Sequence, residues 1–177
     1  MRDSLRMVVV LTIIAMVSAG VLSQVYNVTS VIIAENQARE MESAVYRVLS
    51  GVETVNFIDA PFVLFAAKDS EGTPVGFAYA ASASGYSGAV RVMVGVKLPE
   101  KTIENVVVLE HTETPGLGSR IEEEGFRRQF AGKDVDSQLR VGSDIDNITG
   151  ATMSAVAVTE AVRSNFAAAI AAYERGQ

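Results

Sequence analysis

The chain has no cysteine, no tryptophan and a single histidine among its 177 residues. Without cysteine it cannot hold an iron–sulfur cluster by thiolates, build a disulfide framework or carry a lipid on an N-terminal cysteine. His111 alone does not make a metal centre of the usual imidazole kind. The missing tryptophan excludes nothing. There is no basic run, and the net charge of −6 argues against a nucleic-acid surface. Charge of either sign is absent from Met7 to Ala34.

That uncharged stretch, MVVVLTIIAMVSAGVLSQVYNVTSVIIA, would reach about 42 Å as a helix. The hydrocarbon core of a bilayer needs only ~30 Å. Arg2, Arg6 and the small residues Val17-Ser18-Ala19 before Gly20 also fit a cleavable signal peptide. The apolar character continues past Ala19 through Val25, Tyr26, Val28 and Val31 to Ile33, which favours an uncleaved anchor. Basic residues flank the run on both sides (Arg2 and Arg6, Arg39 and Arg47), so the local charge count is nearly balanced. The short N-terminal tail with its two arginines tips the expectation towards an N-terminus inside. Absence of cysteine agrees with the rest of the chain lying in an oxidising exterior.

Beyond the anchor, Glu35 to Leu49 reads as a continuing amphipathic helix with Met41, Val45, Val48 and Leu49 on its apolar face. A β-rich stretch follows: Phe62 to Ala67, a turn at Glu71-Gly72-Thr73-Pro74, and Val75 to Ala81. After a second turn at Gly85-Tyr86-Ser87-Gly88, Val90, Val92, Val94 and Val96 alternate on one face of the next strand. Lys97 to Lys101 turns the chain again before the strand Ile103 to Leu109. Four short strands joined by tight turns predict an antiparallel meander. Ile121 to Phe130 predicts a short helix, with Phe126 and Phe130 one turn apart, and Leu139 to Val141 a last strand. One domain is expected on the anchor, large enough to bury a core.

The most informative stretch is Asp146-Asn147-Ile148-Thr149-Gly150-Ala151-Thr152-Met153-Ser154. From Thr152 the pattern turns helical, with Val158, Val162, Phe166, Ile170 and Tyr173 at spacings of three and four. Thr149 is the expected N-cap, and Gly150-Ala151 put little bulk near the helix start. An ordinary capped helix would look like this. So would a phosphate site, because a helix N-terminus offers unpaired N–H groups and the positive end of its dipole.

Two upstream segments change the balance: Gly85-Tyr86-Ser87-Gly88, and His111-Thr112-Glu113-Thr114-Pro115-Gly116-Leu117-Gly118. Together the three segments resemble the FMN-binding domain family, most closely the G subunits of Rnf electron-transport complexes. The C subunits of sodium-pumping NADH:quinone reductases are related. The resemblance runs from about Phe62 to Ala172, and Thr149 stands where serine is commoner, which keeps the hydroxyl.

The resemblance implies an α+β fold: one N-terminal transmembrane helix (residues 1–34), a connecting amphipathic helix (35–61), and a small antiparallel-sheet FMN-binding domain with packed helices (62–177). It implies FMN joined by a phosphoester to Thr152, with Asp146 to Ser154 as the tag read by a flavin transferase that uses FAD. Expected around the cofactor are Glu113, Thr114, Leu117, Gly118, Thr149, Gly150, Ala151 and Ser154, with Tyr86 and Asp146 as further candidates.

In that loop Pro115 and two glycines make a rigid turn that lets backbone approach a flat ligand. Leu117 would contact the ring and Thr114 its polar edge. Glu113 either meets the flavin or caps its own loop. Tyr86 either packs in its hairpin or covers the flavin, and His111 reads as a strand-end residue. No catalytic residue and no metal are expected.

The implied role is electron relay within an ion-translocating Rnf-type complex linking ferredoxin and NAD, in the cytoplasmic membrane with the flavin domain outside. The implied partners are the complex's membrane, iron–sulfur and flavin subunits, together with membrane lipid. The alternative is a membrane-anchored flavin module of another extracytoplasmic redox chain or sensor.

Overall fold

The structure, a computed structural model, describes residues 2–134 and 136–176. Met1 and Gln177, the outer bounds of the expected segments, lie outside the described residues. The chain divides into two compact units, Met1–Arg39 and Glu40–Gln177.

The described residues of the first unit are all helical, because helix α1 runs from Arg2 to Val48. Its apolar side chains, from Leu5 to Ile33, are exposed. Thr12 and Thr29 donate their hydroxyls back to the carbonyls of Val8 and Val25, at 2.8 and 2.7 Å. Such bonds keep polar groups satisfied inside the helix where no water is at hand. Among the described residues one helix, Leu5–Val48, is long and apolar enough to cross a membrane; its most apolar window has a mean hydropathy of 2.4 and none of it is buried. So much uncovered apolar surface is costly in water, which supports membrane association.

The second unit is built on a five-stranded antiparallel sheet in the order β1-β2-β3-β4-β5. The strands are β1 Thr54–Ile58, β2 Leu64–Lys68, β3 Pro74–Ser84, β4 Ala89–Lys97 and β5 Thr102–Glu110. The central pair runs in register from Gly76↔Lys97 to Ser84↔Ala89. It closes at the Gly85–Gly88 hairpin, where the Gly85 amide donates to the Gly88 carbonyl at 2.7 Å.

Val90, Val92, Val94 and Val96 are all buried on one sheet face, under helix α3 (Thr152–Arg175). The same core takes Val158, Val162, Phe166 and Tyr173 from α3, at spacings that put them on one helix face. Tyr173 stacks on Phe77 with ring centres 4.8 Å apart, and Phe166 on Tyr79 at 6.3 Å. Fully burying a side chain of this kind stabilises by about 1.5–3 kcal/mol. Burial also pushes the Tyr79 phenol far above its ordinary range, and its hydroxyl donates to the Val162 carbonyl at 2.8 Å.

The opposite sheet face is covered by the end of α1, where Ala44, Val45, Val48 and Leu49 meet Ala67, Ala78, Ala80, Met93 and Val107. The helix end lies close to this face at two glycines. A Cβ on Gly95 would strike the Val48 carbonyl, and one on Gly76 would come within 2.9 Å of the Leu49 side chain.

Three elements differ from the sequence reading. The 35–61 segment is not one helix, because α1 ends at Val48 and β1 follows. The β1 strand is an edge strand with Phe57 exposed, so it lacks the alternation that marks a half-buried strand. Ile121 to Phe130 is divided among a 3-10 turn (Gly118–Glu122), the short helix α2 (Glu124–Arg127) and a second 3-10 turn (Arg128–Phe130). Phe126 and Phe130 do meet edge to face, at 5.7 Å. Leu139 to Val141 is not a strand; only an isolated bridge joins Val141 to Ile145. The Asp144 carboxylate takes the amides of Leu139 and Arg140 at 2.9 and 3.0 Å, so neither is free for a ladder.

Candidate functional site

The three segments singled out in the sequence are brought together by one carboxylate. Glu113, just past β5, is 4% exposed. Its Oε2 accepts the Ser154 hydroxyl at 2.5 Å, and its Oε1 accepts the Ser87 amide at 3.0 Å. Space is left for it by two glycines: a Cβ on Gly85 would strike Oε1, and one on Gly118 would lie 2.8 Å from both the Glu113 Cβ and the Ser154 Oγ. Burial pushes the carboxyl up. The hydrogen bonds from Ser154, Ser87 and Tyr86 outweigh it and hold the group below the usual carboxylate range. Glu113 is therefore an ionised clasp between hairpin, loop and helix.

His111 supports that clasp from behind. Its Nδ1 accepts the Glu113 amide at 3.1 Å, so Nε2 carries the proton and faces the Glu122 carboxylate at 3.0 Å. The loop beyond is held by its own bonds. The amides of Leu117 and Ser119 donate to the Thr114 carbonyl, both at 3.2 Å, and the Gly116 amide donates to the Ser119 hydroxyl at 2.8 Å.

The helix start differs in detail from the expectation. The residue before α3 is Ala151, with no side-chain cap, so Thr149 is not the N-cap. Thr149 instead lies in a turn closed by the Ala151 amide on the Ile148 carbonyl at 2.9 Å. Gly150 in that turn has φ +82°, a conformation that favours glycine. Thr152 is the first helical residue, exposed, and its Oγ1 accepts the Asn147 side-chain amide at 2.7 Å. The first amides of α3 have no acceptor within the helix.

Between these parts lies an open cavity of about 560 Å3, lined by Tyr86, Glu113, Thr114, Leu117, Gly118, Gly150, Ala151, Thr152, Met153 and Ser154. Of the residues expected around a cofactor, Thr149 and Asp146 do not line it. Asp146 is instead held through its backbone amide by the Gln129 side chain, at 2.6 Å. The sequence reading missed Met153, which lines the cavity and is 57% exposed, and Asn147, whose only signal was a polar side chain between Asp146 and Ser154.

The residues suit FMN. The volume falls in the range of small-molecule sites. Tyr86, Leu117 and Met153 are exposed apolar groups against which a flat ring can pack. A hydroxyl and the positive end of α3 lie where a phosphate would be welcome. Among the described residues none that lines the cavity is basic.

Comparison with known proteins agrees. The FMN-binding domain family matches residues 85–166. The G subunit of the proton-translocating ferredoxin:NAD(+) oxidoreductase complex of Clostridium ljungdahlii is 30% identical over 159 residues, covering 86% of this chain and 84% of its own length. The G subunit of the ion-translocating oxidoreductase complex of Methanosarcina acetivorans is 28% identical over 174 residues, covering 92% and 93%. Among solved structures, NqrC of Shewanella oneidensis superposes with a TM-score of 0.52 at 22% identity, over 69% of this chain and 67% of that one. That likeness is one of fold.

Proposed function

This chain belongs to the FMN-binding G-subunit family of ion-translocating oxidoreductase complexes, and we propose on that premise that it carries FMN on Thr152 and relays electrons within an Rnf-type complex linking ferredoxin and NAD. The observation that carries the reading is the placement of an exposed threonine hydroxyl at the first position of α3, on the wall of a cavity suited to a flavin. When bound, FMN supplies one-electron and two-electron transfer, and its potential answers to the groups around its ring.

The chain's own residues bind and orient. Thr152 would offer the ester oxygen, and the amides of the first turn of α3 would face the phosphate charge. Tyr86, Leu117 and Met153 would pack against the ring, and Thr114 would offer its hydroxyl to a polar edge. Both Glu113 oxygens already accept from the walls, Oε2 from Ser154 and Oε1 from Ser87, so its part is to fix those walls. An alkyl hydroxyl is a weak nucleophile at neutral pH, so attachment calls for a flavin transferase with FAD as donor. The further partners are the membrane, iron–sulfur and flavin subunits of the complex, and lipid around residues 7–33. The flavin domain lies outside the cytoplasmic membrane.

The test is direct. Protein matured with a flavin transferase should keep yellow fluorescence after denaturation and gain the mass of one FMN less one water. Thr152→Val keeps the branched shape without the hydroxyl and should lose both signals. Retention of either in that variant would overturn Thr152 as the attachment point.

A further inference from the structure

Asn147 and Thr152 are five residues apart on either side of a turn, yet the Asn147 Nδ2 lies 2.7 Å from the Thr152 Oγ1. The contact is held from both ends. Asn147 sits between Ile145 and Ile148, which are both buried in the core, and Thr152 is fixed as the first residue of α3. The turn between them is closed by the bond from the Ala151 amide to the Ile148 carbonyl and depends on the positive φ of Gly150. Upstream, the bond from the Asp146 amide to Gln129 ties the loop down. Both side chains are exposed, so the bond is not there to satisfy a buried group. It orients a hydroxyl that an incoming reagent can reach.

We propose that the Asn147 side-chain amide holds the Thr152 hydroxyl in its reacting orientation and stabilises the negative charge that develops on Oγ1 during cofactor attachment. The proposal rests on Thr152 being the attachment point. In that step Oγ1 bonds to the FMN-side phosphorus of FAD, the pyrophosphate P–O bond breaks, AMP leaves, and the hydroxyl proton passes to a base or to solvent. Nothing is oxidised or reduced. An N–H donor on an oxygen favours its more negative form. It also fixes the side-chain rotamer and leaves a second lone pair on Oγ1 free of the amide. A single oriented hydrogen bond of this kind is worth about tenfold in rate. A carboxylate in its place would repel both the developing charge and the phosphate.

The experiment compares the full chain in detergent with Asn147→Ala, Asn147→Asp and Thr152→Val, using FAD and a purified flavin transferase. In-gel fluorescence and intact mass give initial rates as FAD and chain concentrations are varied. The expected order of kcat is parent, then Asn147→Ala at about a tenth, then Asn147→Asp lower still, with KM for the chain little changed. Asn147→Asp is isosteric, so a merely structural role for residue 147 predicts that it labels like the parent while Asn147→Ala does not. That pattern, an unchanged kcat in Asn147→Ala, or a change confined to KM for the chain, would overturn the proposal while leaving attachment at Thr152 intact. Label on Thr152→Val, or none on the parent, would instead overturn the reading on which it rests.

Discussion

The Ser154 hydroxyl donates to the Glu113 carboxylate at 2.5 Å, joining the first turn of α3 to a loop 41 residues earlier in the chain. Glu113 accepts from the hairpin as well, so one charged group replaces what would otherwise be three independent loop ends. A buried carboxylate is tolerable only when its charge is met by donors, and here the donors belong to separate segments. Closure of the cavity walls and ionisation of Glu113 therefore favour one another.

This gives the protein an acid-sensitive clasp. The folded value for Glu113 lies below its unfolded one, so its contribution to stability is fully present above the ordinary carboxylate range. It is lost as pH falls through the lowered folded value. In Glu113→Gln the amide can still accept from Ser154 but turns an NH2 towards the Ser87 amide, leaving a donor unpaired. We expect a loss of about 1–3 kcal/mol near neutral pH. Thermal unfolding followed from neutral to acid pH should show the parent converging on the variant at the acid end. A constant gap between the two would mean that Glu113 is not the titrating group.

Leu117 separates holding the cofactor from tuning it. The side chain is 44% exposed, so Leu117→Ala should change the stability of the cofactor-free chain by no more than about 0.5 kcal/mol. A covalent tether would still retain FMN in this variant. Ring packing should loosen, with shifted potential, altered flavin fluorescence and slower electron transfer in the assembled complex. Unchanged spectra and turnover would assign Leu117 to another role, such as docking a neighbouring subunit.

The anchor makes its own prediction. Residues 7–33 should hold the protein in membranes through a carbonate wash, and a reporter fused after Gln177 should score as extracytoplasmic. Release by carbonate, or a C-terminus labelled only from the cytoplasmic side, would reverse the assignment.

Much of the architecture could be read from residue patterns. The alternating valines of β4 and the three-four spacing along α3 report burial directly, because each buried side chain falls on the period of its element. β1 could not be read this way. It pairs at the sheet edge with Phe57 outward, and its place comes from hydrogen bonds to β2 rather than from a hidden face. The threonine that starts the helix was legible, while the cap was not. Thr149 is the right residue type two residues too early, and Gly150 bends the chain between it and Ala151. Glu113 resisted most. Its role depends on Ser154 and Ser87, far away in the chain, and local sequence carries no trace of which donors a carboxylate will meet.

The order of the strands also sets a timetable for biogenesis. Since spatial order repeats chain order, each strand finds its neighbour in the segment synthesised just before it, and the sheet can grow while later residues are still being added. Helix α3 comes after all five strands and brings with it both the cover of the main core and the far wall of the cavity. Until it docks, Glu113 has no Ser154 to meet and the pocket does not exist. A ligand of this cavity thus finds its site only on a finished domain, and cofactor loading doubles as a check that folding is complete.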